Sequence, residues 1–460
     1  MTALEIIIVT IAATNLLLSW FVVFPLHQPT TVLNWMIKVL VCGLSPVLLQ
    51  TSIITVVAGS FLNLVPAILV SSLSAAIYFV YISGALHSSP GAAGFESVFG
   101  KHWENEITDE RKSCMLRKRY VFVLPKSPEP VVSQNISFYT IRDTNRQLLC
   151  DMWQPAEGVT RSGLAFIYLH GSAWTHLDKD CGTRTFFRHL AKQGHVIMDV
   201  AYRLFPETDF RGMVYDTKHA IAWLKSNAST YKINPEKIVI GGGSAGAHLA
   251  LLAGYTDENK ELTPPDLENS DLTVRGVISS YGQSELSATY YHTCQHLTKH
   301  SGLTQAKKES RPGRASGWMW KRMGADFHRL GFDKDVEPGR LCSILGGSPD
   351  EIPEAYALFS PISHVHKNCP YTLLIHGEHD ILAPLNAIRR LHKSLVNAGV
   401  PVILHTVPRT DHAFDLVLPK ISPSAHNAIY HVERFLAMME SDDLRETNSR
   451  YFKIAYPVLS

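Results

Sequence analysis

The chain has 460 residues and carries 43 Lys and Arg against 41 Asp and Glu, so no basic excess points to a nucleic-acid partner. Its seven cysteines are odd in number and scattered, with no C-x-x-C and no H-E-x-x-H, which argues against a disulfide scaffold or a metal site. Histidine occurs 22 times, so a lone His carries little information.

Residues 4–24 are apolar except for Glu5 at the edge, long enough to span a hydrocarbon layer. A second apolar run covers 39–58, with Lys38 at its boundary and Pro46 inside. A third covers 61–86, with Pro66 inside and Tyr78 and Tyr81 near its end. Proline is tolerated in membrane helices. Gly59 and Ser60 barely separate the last two runs, which predicts a tight hairpin. Residues 1–90 are therefore expected to form about three transmembrane helices of a multi-pass protein, in the endoplasmic reticulum or another endomembrane, with the lipid bilayer as partner. A cleaved signal peptide is the other reading of the first run and would leave two spans. The missing basic n-region and the length of the run argue against it.

Lys38 is the only Lys or Arg before the third run ends, whereas Lys101, Arg111, Lys112, Arg117, Lys118 and Arg119 follow it. The positive-inside rule leans towards a cytosolic globular domain. Asn135-Ile-Ser137 and Asn227-Ala-Ser229 are N-glycosylation sequons that matter only on the lumenal side, and the side stays open. Residues 91–131 are rich in Gly, Ser, Pro and charge and read as a juxtamembrane connector. Its basic run from 111 to 119 suits either anionic headgroups or a solvated face.

Residues 132–460 alternate strands with helices, the pattern of an α/β fold with a mostly parallel sheet flanked by helices. A starting hairpin (136–141 and 147–153) turns at Asp143-Thr-Asn145. Further strands are expected at 164–169, 195–200, 238–240, 274–279, 371–375 and 402–407, with helices at 186–193, 215–226, 386–397 and 424–438 and one opening at Ala245. Residues 283–355 interrupt the rhythm and read as a cap insertion over the strand ends. Its Trp318, Met319, Trp320, Met323 and Phe327 either line a substrate pocket or form the insertion's own core.

The chemistry centres on Gly242-Gly243-Ser244-Ala245-Gly246. This is G-x-S-x-G between an apolar strand and a helix-forming run, the setting of a nucleophile elbow. The same stretch also reads G-x-G-x-x-G over Gly241, Gly243 and Gly246, a possible dinucleotide cradle. Downstream residues decide between them. A serine hydroxyl needs a base to take its proton, and the base needs a carboxylate to hold its tautomer. His412 follows the last strand on a short loop. Asp380 follows the preceding strand. The order Ser244, Asp380, His412, with separations of 136 and 32 residues, fits the elbow and has no use in a dinucleotide site. Asp411 is adjacent to His412 and points away from it, Glu378 comes too early, and Asp415 lies beyond the histidine. His376 and His379 read as loop residues, and His248 is expected to pack beneath the elbow. Oxyanion donors are expected from the Ala245 N–H and from the loop His170-Gly171-Ser172-Ala173-Trp174.

These segments, with Ala201-Tyr-Arg-Leu-Phe-Pro-Glu207 and His376-Gly-Glu-His-Asp380, resemble the hormone-sensitive-lipase-like and carboxylesterase branch of the α/β-hydrolase superfamily over residues 145–440. The H-G-x-x-W loop and the Gly-x-Ser-Ala-Gly-Ala-His-Leu elbow are also similar to arylformamidases. Two positions depart from the branch: Ser172 stands for its second loop Gly, and Gly243 for the Asp before the nucleophile. The resemblance implies a serine hydrolase, without cofactor, cleaving a carboxylic ester. The three-helix membrane module lies outside the resemblance, and membrane attachment suggests a small apolar substrate such as a lipid, sterol or secondary metabolite. Amide cleavage or acyl transfer on the same residues is the alternative, and a non-catalytic binding module a third reading. The oligomeric state is not legible.

Overall fold

The computed structural model describes residues 1–26, 30–88, 94–142, 144–171, 173–297 and 339–442. Three helices come first: α1 (Ala3–Val23), α2 (Val32–Phe61) and α3 (Val65–His87), each long and apolar enough to cross a membrane. A capping box between Thr2 and Glu5 starts α1. The Thr31 side chain starts α2 by accepting from Asn34 N–H, so the helix opens at residue 32, not at the apolar boundary of 39. Lys38 consequently lies inside α2, and its side chain is fully buried. The hairpin turns at Leu62–Leu64 with Asn63 at φ 54°, beyond Gly59 and Ser60, which stay helical. Pro66 in the first turn of α3 needs no N–H partner there and fixes where that helix begins. Buried polar contacts tie the three together: Asn15 Nδ2 donates to Thr51 and Ser52 hydroxyls at 3.1 Å, and Tyr78 O–H to Asn15 O at 2.9 Å. The outer faces expose large apolar side chains, such as Leu17 and Trp20, Ile53 and Ile54, Leu69 and Phe79.

The segment after α3 folds into two short helices, α4 (Phe95–Phe99) and α5 (Asp109–Cys114). Its basic run is partly absorbed by the protein. Arg111 is buried and bidentate on Glu440 (2.8 and 3.0 Å), and Arg119 donates to Leu86 O and Ser88 O.

Eight strands form one sheet: β1 (Val131–Ile141), β2 (Arg146–Gln154), β3 (Ala165–Leu169), β4 (Val196–Val200), β5 (Ile238–Gly243), β6 (Gly276–Ser280), β7 (Tyr371–Gly377) and β8 (Val402–Val407). Their order is β1-β2-β4-β3-β5-β6-β7-β8. β1 and β2 are antiparallel to their neighbours and the other six run parallel. The central strands are buried on both faces, which explains their largely apolar runs, broken in β4 only by the buried Asp199. On one face α6 (Arg184–Lys192) and α14 (Pro423–Glu440) cover Phe166, Val239 and Leu373. On the other, α7 (Phe210–Ser226), α8 (Ala228–Tyr231), α9 (Ala245–Tyr255) and α13 (Leu385–Asn397) cover Ile167, Ile240 and Leu374.

The expected insertion contributes α10 (Leu286–His296), α11 (Arg340–Leu345) and α12 (Pro353–Leu358). Trp318, Met319, Trp320, Met323 and Phe327 lie outside the described residues. The membrane-type helices dock directly on the globular part. Tyr81 O–H lies 2.7 Å from Ser424 Oγ, Asn427 Nδ2 bonds Ala85 O, and Thr30 N–H donates to His296 O at 2.7 Å. The C-terminal ends of α1 and α3 and the N-terminal end of α2 therefore face the globular part.

Candidate active site

Ser244 is the residue between β5 and α9, with φ 54° and ψ −121°, a conformation that side-chain-bearing residues rarely adopt. The turn is held by Ser244 N–H donating to Ser280 O at 2.9 Å and by His248 N–H donating to Ser244 O at 3.0 Å. Its crowding accounts for the flanking glycines. A Cβ on Gly246 would lie 2.5 Å from the carbonyl carbon of Leu169 and 2.7 Å from His170 O, and one on Gly242 would lie 2.8 Å from the carbonyl carbon of Gly246. The end of β3 thus presses against the start of α9.

The structure brings the three distant side chains together. His412 Nε2 lies 2.8 Å from Ser244 Oγ, and His412 Nδ1 lies 2.8 Å from Asp380 Oδ2. Asp380 is buried, and Leu382 N–H and Ala383 N–H donate to its Oδ1 at 2.9 and 2.7 Å. Burial alone pushes its carboxyl up, but the His412 imidazole and these hydrogen bonds outweigh that and hold it below the usual carboxylate range. An ionised Asp380 fixes the proton of His412 on Nδ1 and leaves Nε2 free to accept from the serine hydroxyl.

Backbone bonds lace the acid loop after β7 to the histidine loop after β8. Glu378 N–H donates to Val407 O, His379 N–H to Thr410 O, and Arg409 N–H to Glu378 Oε2. His376 is buried and donates to Ala383 O at 2.9 Å, while its ring nitrogen sits 3.6 Å from Asp380 Oδ2. It supports the acid loop, a role the sequence pattern does not signal. Asp411 does not orient the imidazole. Its Oδ1 accepts from His412 N–H at 2.8 Å and Ile381 N–H at 3.1 Å. Asp415 is half-buried beside Tyr281, whose hydroxyl donates to it. The Tyr281 ring lies 4.7 Å from that of His412. A Cβ on Gly243 would sit 2.8 Å from the Tyr281 hydroxyl. Tyr281 and Asp415 thus occupy the space that a side chain at 243 would need, and the glycine at that position is the only sequence signal for them.

The expected oxyanion loop lies beside the elbow. A Cβ on Gly171 would be 2.8 Å from Gly243 O and 3.2 Å from Ser244 Cβ. Ala173 and Trp174 both have positive φ, 49° and 62°. Ser172 lies outside the described residues. Ala245, at the first position of α9, follows Ser244 with its N–H at the helix N-terminus. The indole of Trp174 donates to His248 Nδ1 at 3.2 Å, and His248 Nε2 donates to Phe359 O at 2.8 Å. Burial pushes His248 down to about 4, which keeps it neutral and able to accept from the indole. His170 stacks on Tyr202 at 4.5 Å and its carbonyl accepts the Tyr202 hydroxyl, so it anchors the loop. Asn135 is exposed on β1, whereas Asn227 is half-buried with its amide donating to Trp223 O.

One contact comes from outside the globular part. Trp35 of α2 is buried, with its ring centroid 6.4 Å from that of His412. From the cap, His292 Nε2 of α10 donates to Asp380 O at 3.0 Å.

Comparison with known proteins gives the following. Residues 150–315 match a family model described as BD-FAE, and residues 342–438 match that of the prolyl oligopeptidase family. The probable carboxylic ester hydrolase LipM of Mycobacterium tuberculosis is 27% identical over 289 residues, covering 62% of this chain and 57% of that protein. Esterase LipC of the same organism is 27% identical over 286 residues, covering 62% and 61%. The chain thus spans about three-fifths of the length of these curated relatives. Esterase B from Lactobacillus rhamnosis has a similar fold, with a TM-score of 0.50 at 19% identity over 70% of this chain and 90% of that one.

Proposed function

We propose that this chain, an α/β-hydrolase of the hormone-sensitive-lipase-like, esterase-related branch, is a membrane-embedded serine hydrolase that cleaves a carboxylic ester of an apolar substrate. The observation that carries the reading is the unbroken relay Ser244–His412–Asp380, with 2.8 Å at each link. His412 takes the proton of Ser244 as its Oγ attacks the ester carbonyl, then passes it to the leaving alcohol. Asp380 holds the imidazolium that forms in between. The N–H groups of Ala245 and of the loop from Gly171 to Ala173 receive the developing oxyanion, each donor worth about 10²–10³ in rate. Water, activated by the same imidazole, then releases the acid from Ser244. No cofactor takes part.

In this reading 1–90 is a three-span membrane module, 91–131 connects it, and 132–460 is the hydrolase domain with a cap at 283–355. The apolar outer faces of α1, α2 and α3 support embedding, and an endomembrane is the proposed location. The hydrolase domain would share the side on which Lys101, Arg111 and Lys112 emerge, the cytosolic one, where neither Asn135 nor Asn227 is glycosylated. The nearness of Trp35 to His412 supports a substrate drawn from the bilayer, because a membrane-type helix then supplies one wall of the site. The small apolar ester is therefore placed among lipids, sterols or acylated secondary metabolites.

Amide cleavage is the second reading. It is favoured by the prolyl oligopeptidase match over residues 342–438, and acyl transfer to an alcohol is a variant of either. Turnover of matched ester and anilide substrates by purified full-length protein separates them: ester-only turnover is expected. The Ser244→Ala variant should lose about 10⁴–10⁶ in turnover of short p-nitrophenyl esters. Unchanged turnover in a folded variant refutes the whole reading.

A further inference from the structure

The buried ammonium of Lys38 is unusual for its setting. No other Asp, Glu, Lys or Arg occurs in α2, and an ionisable residue in such a helix normally faces a functional interior. Lys38 does not snorkel to water, since its side chain is 0% exposed. Its Nζ meets three elements. It donates to Phe24 O at 3.1 Å and to His379 Nδ1 at 3.1 Å, and it lies 3.8 Å from Asp411 Oδ2. Burial pushes His379 down to about 4, so the ring is a neutral acceptor.

Asp411 is the partner that matters. Through Oδ1 it ties the backbone of Ile381, next to the acid, to the backbone of His412, the base. It therefore sets the spacing between the two loops whose side chains meet at 2.8 Å. The carboxylate is fully buried. Burial pushes its pKa up to about 7, and Lys38 is the main influence pulling it down. Even beside that cation the group stands poised between its charged and neutral forms at neutral pH, and removing Lys38 would tip it towards the protonated form. Charge-assisted hydrogen bonds are roughly twice as strong as neutral ones, so its grip on the two N–H groups would slacken.

We propose that Lys38 is a positioning residue for hydrolysis: from within a membrane-type helix its ammonium faces the Asp411 carboxylate and favours its charged form, and that carboxylate holds the acid and base loops in register. The helices are then a working part of the active site as well as an anchor. The inference rests on the hydrolase reading above for its kinetic consequence, but its structural arm can be read without turnover.

The test uses the full chain in phosphatidylcholine nanodiscs. Four forms are compared: wild type, Lys38→Met, Asp411→Asn and the double variant. An Asn at 411 can accept from both N–H groups with no counter-charge, so the double variant keeps the staple and removes both charges. Labelling of Ser244 by a fluorophosphonate should slow at least about ten-fold in Lys38→Met and return to within about three-fold of wild type in the double variant. Hydrogen exchange over 378–383 and 409–414 should rise in Lys38→Met and fall back in the double variant, whether or not Ser244 reacts. A role in simply gluing the helix to the domain would predict no rescue. Labelling or exchange in Lys38→Met equal to wild type, or a double variant as impaired as Lys38→Met, overturns the proposal. If Lys38→Met fails to accumulate, folded and protected double variant supports the proposal, and its absence overturns it. Loss of wild-type labelling with the exchange pattern intact strikes the hydrolase reading alone.

Discussion

Gly246→Ala is the smallest change expected to disable the site, and its size follows from distances. The added methyl carbon would sit 2.5 Å from the carbonyl carbon of Leu169 and 2.7 Å from His170 O, with Leu169 O closer still. Unstrained carbon–oxygen contacts lie at about 3.3–3.6 Å. The start of α9 must therefore retreat about 1 Å from the end of β3. These two segments carry Ser244 and the His170–Trp174 loop, so the retreat widens the gap between nucleophile and oxyanion donors by a similar amount. A 1 Å misplacement of reacting groups costs on the order of 10²-fold in rate. Overpacking adds about 1–3 kcal/mol of destabilisation. The assay pairs kcat on a p-nitrophenyl ester with thermal unfolding of the same preparation. A folded Gly246→Ala protein that keeps more than half of wild-type kcat would refute the reasoning, because it would mean that the two segments are not held at this spacing.

Two further outcomes follow from groups buried in the fold. Tyr281→Phe strips the half-buried Asp415 of its hydroxyl donor and should destabilise the protein by about 1–2 kcal/mol, read as a lower Tm at neutral pH; no change in Tm would remove Tyr281 from the support of the site. His405, fully buried on β8, is pushed down to about 3 by burial and by the nearby Arg119. Its folded-state pKa is depressed, so below about pH 6.5 the unfolded chain binds a proton that the folded one excludes, and stability falls with pH by about 2 kcal/mol at pH 5. His405→Phe should therefore lose less Tm than wild type between pH 7 and pH 5, and parallel Tm curves would show that the ring is not held neutral.

Much of the layout was legible in the chain because its signals are local. Apolar runs mark β3 and the start of β5, and β4 but for the buried Asp199, since a strand covered on both faces has no solvent side to show. Gly242 and Gly246 flank Ser244 because the turn leaves no room for a Cβ. Strand ends place Asp380 and His412 on the same rim, and their order does the rest. What escaped the chain reading is carried by partners distant in sequence. Asp411 is uninformative as a neighbour of His412 until Lys38, in a different module, is seen facing it. Tyr281 and Asp415 leave a trace only as the glycine at 243. The early start of α2 is hidden because Asn34 and Lys38 interrupt its apolar run, and both are accommodated by contacts that no periodicity records: the Thr31 cap and the buried ion pair.

In the proposed membrane-embedded reading, the length of α2 has a consequence for how the protein meets a bilayer. Its 30 residues make a rod of about 45 Å, against a hydrocarbon layer of about 30 Å. The surplus lies at the end bearing Trp35 and Lys38, the end seated on the acid and base loops. Spanning a bilayer in this way, the rod would act as a fixed-height post, setting how far Ser244 stands above the lipid surface. A thicker bilayer would swallow part of that surplus and lower the reaction centre towards the headgroups, so the depth at which a scissile bond can be reached would vary with the membrane that hosts the protein.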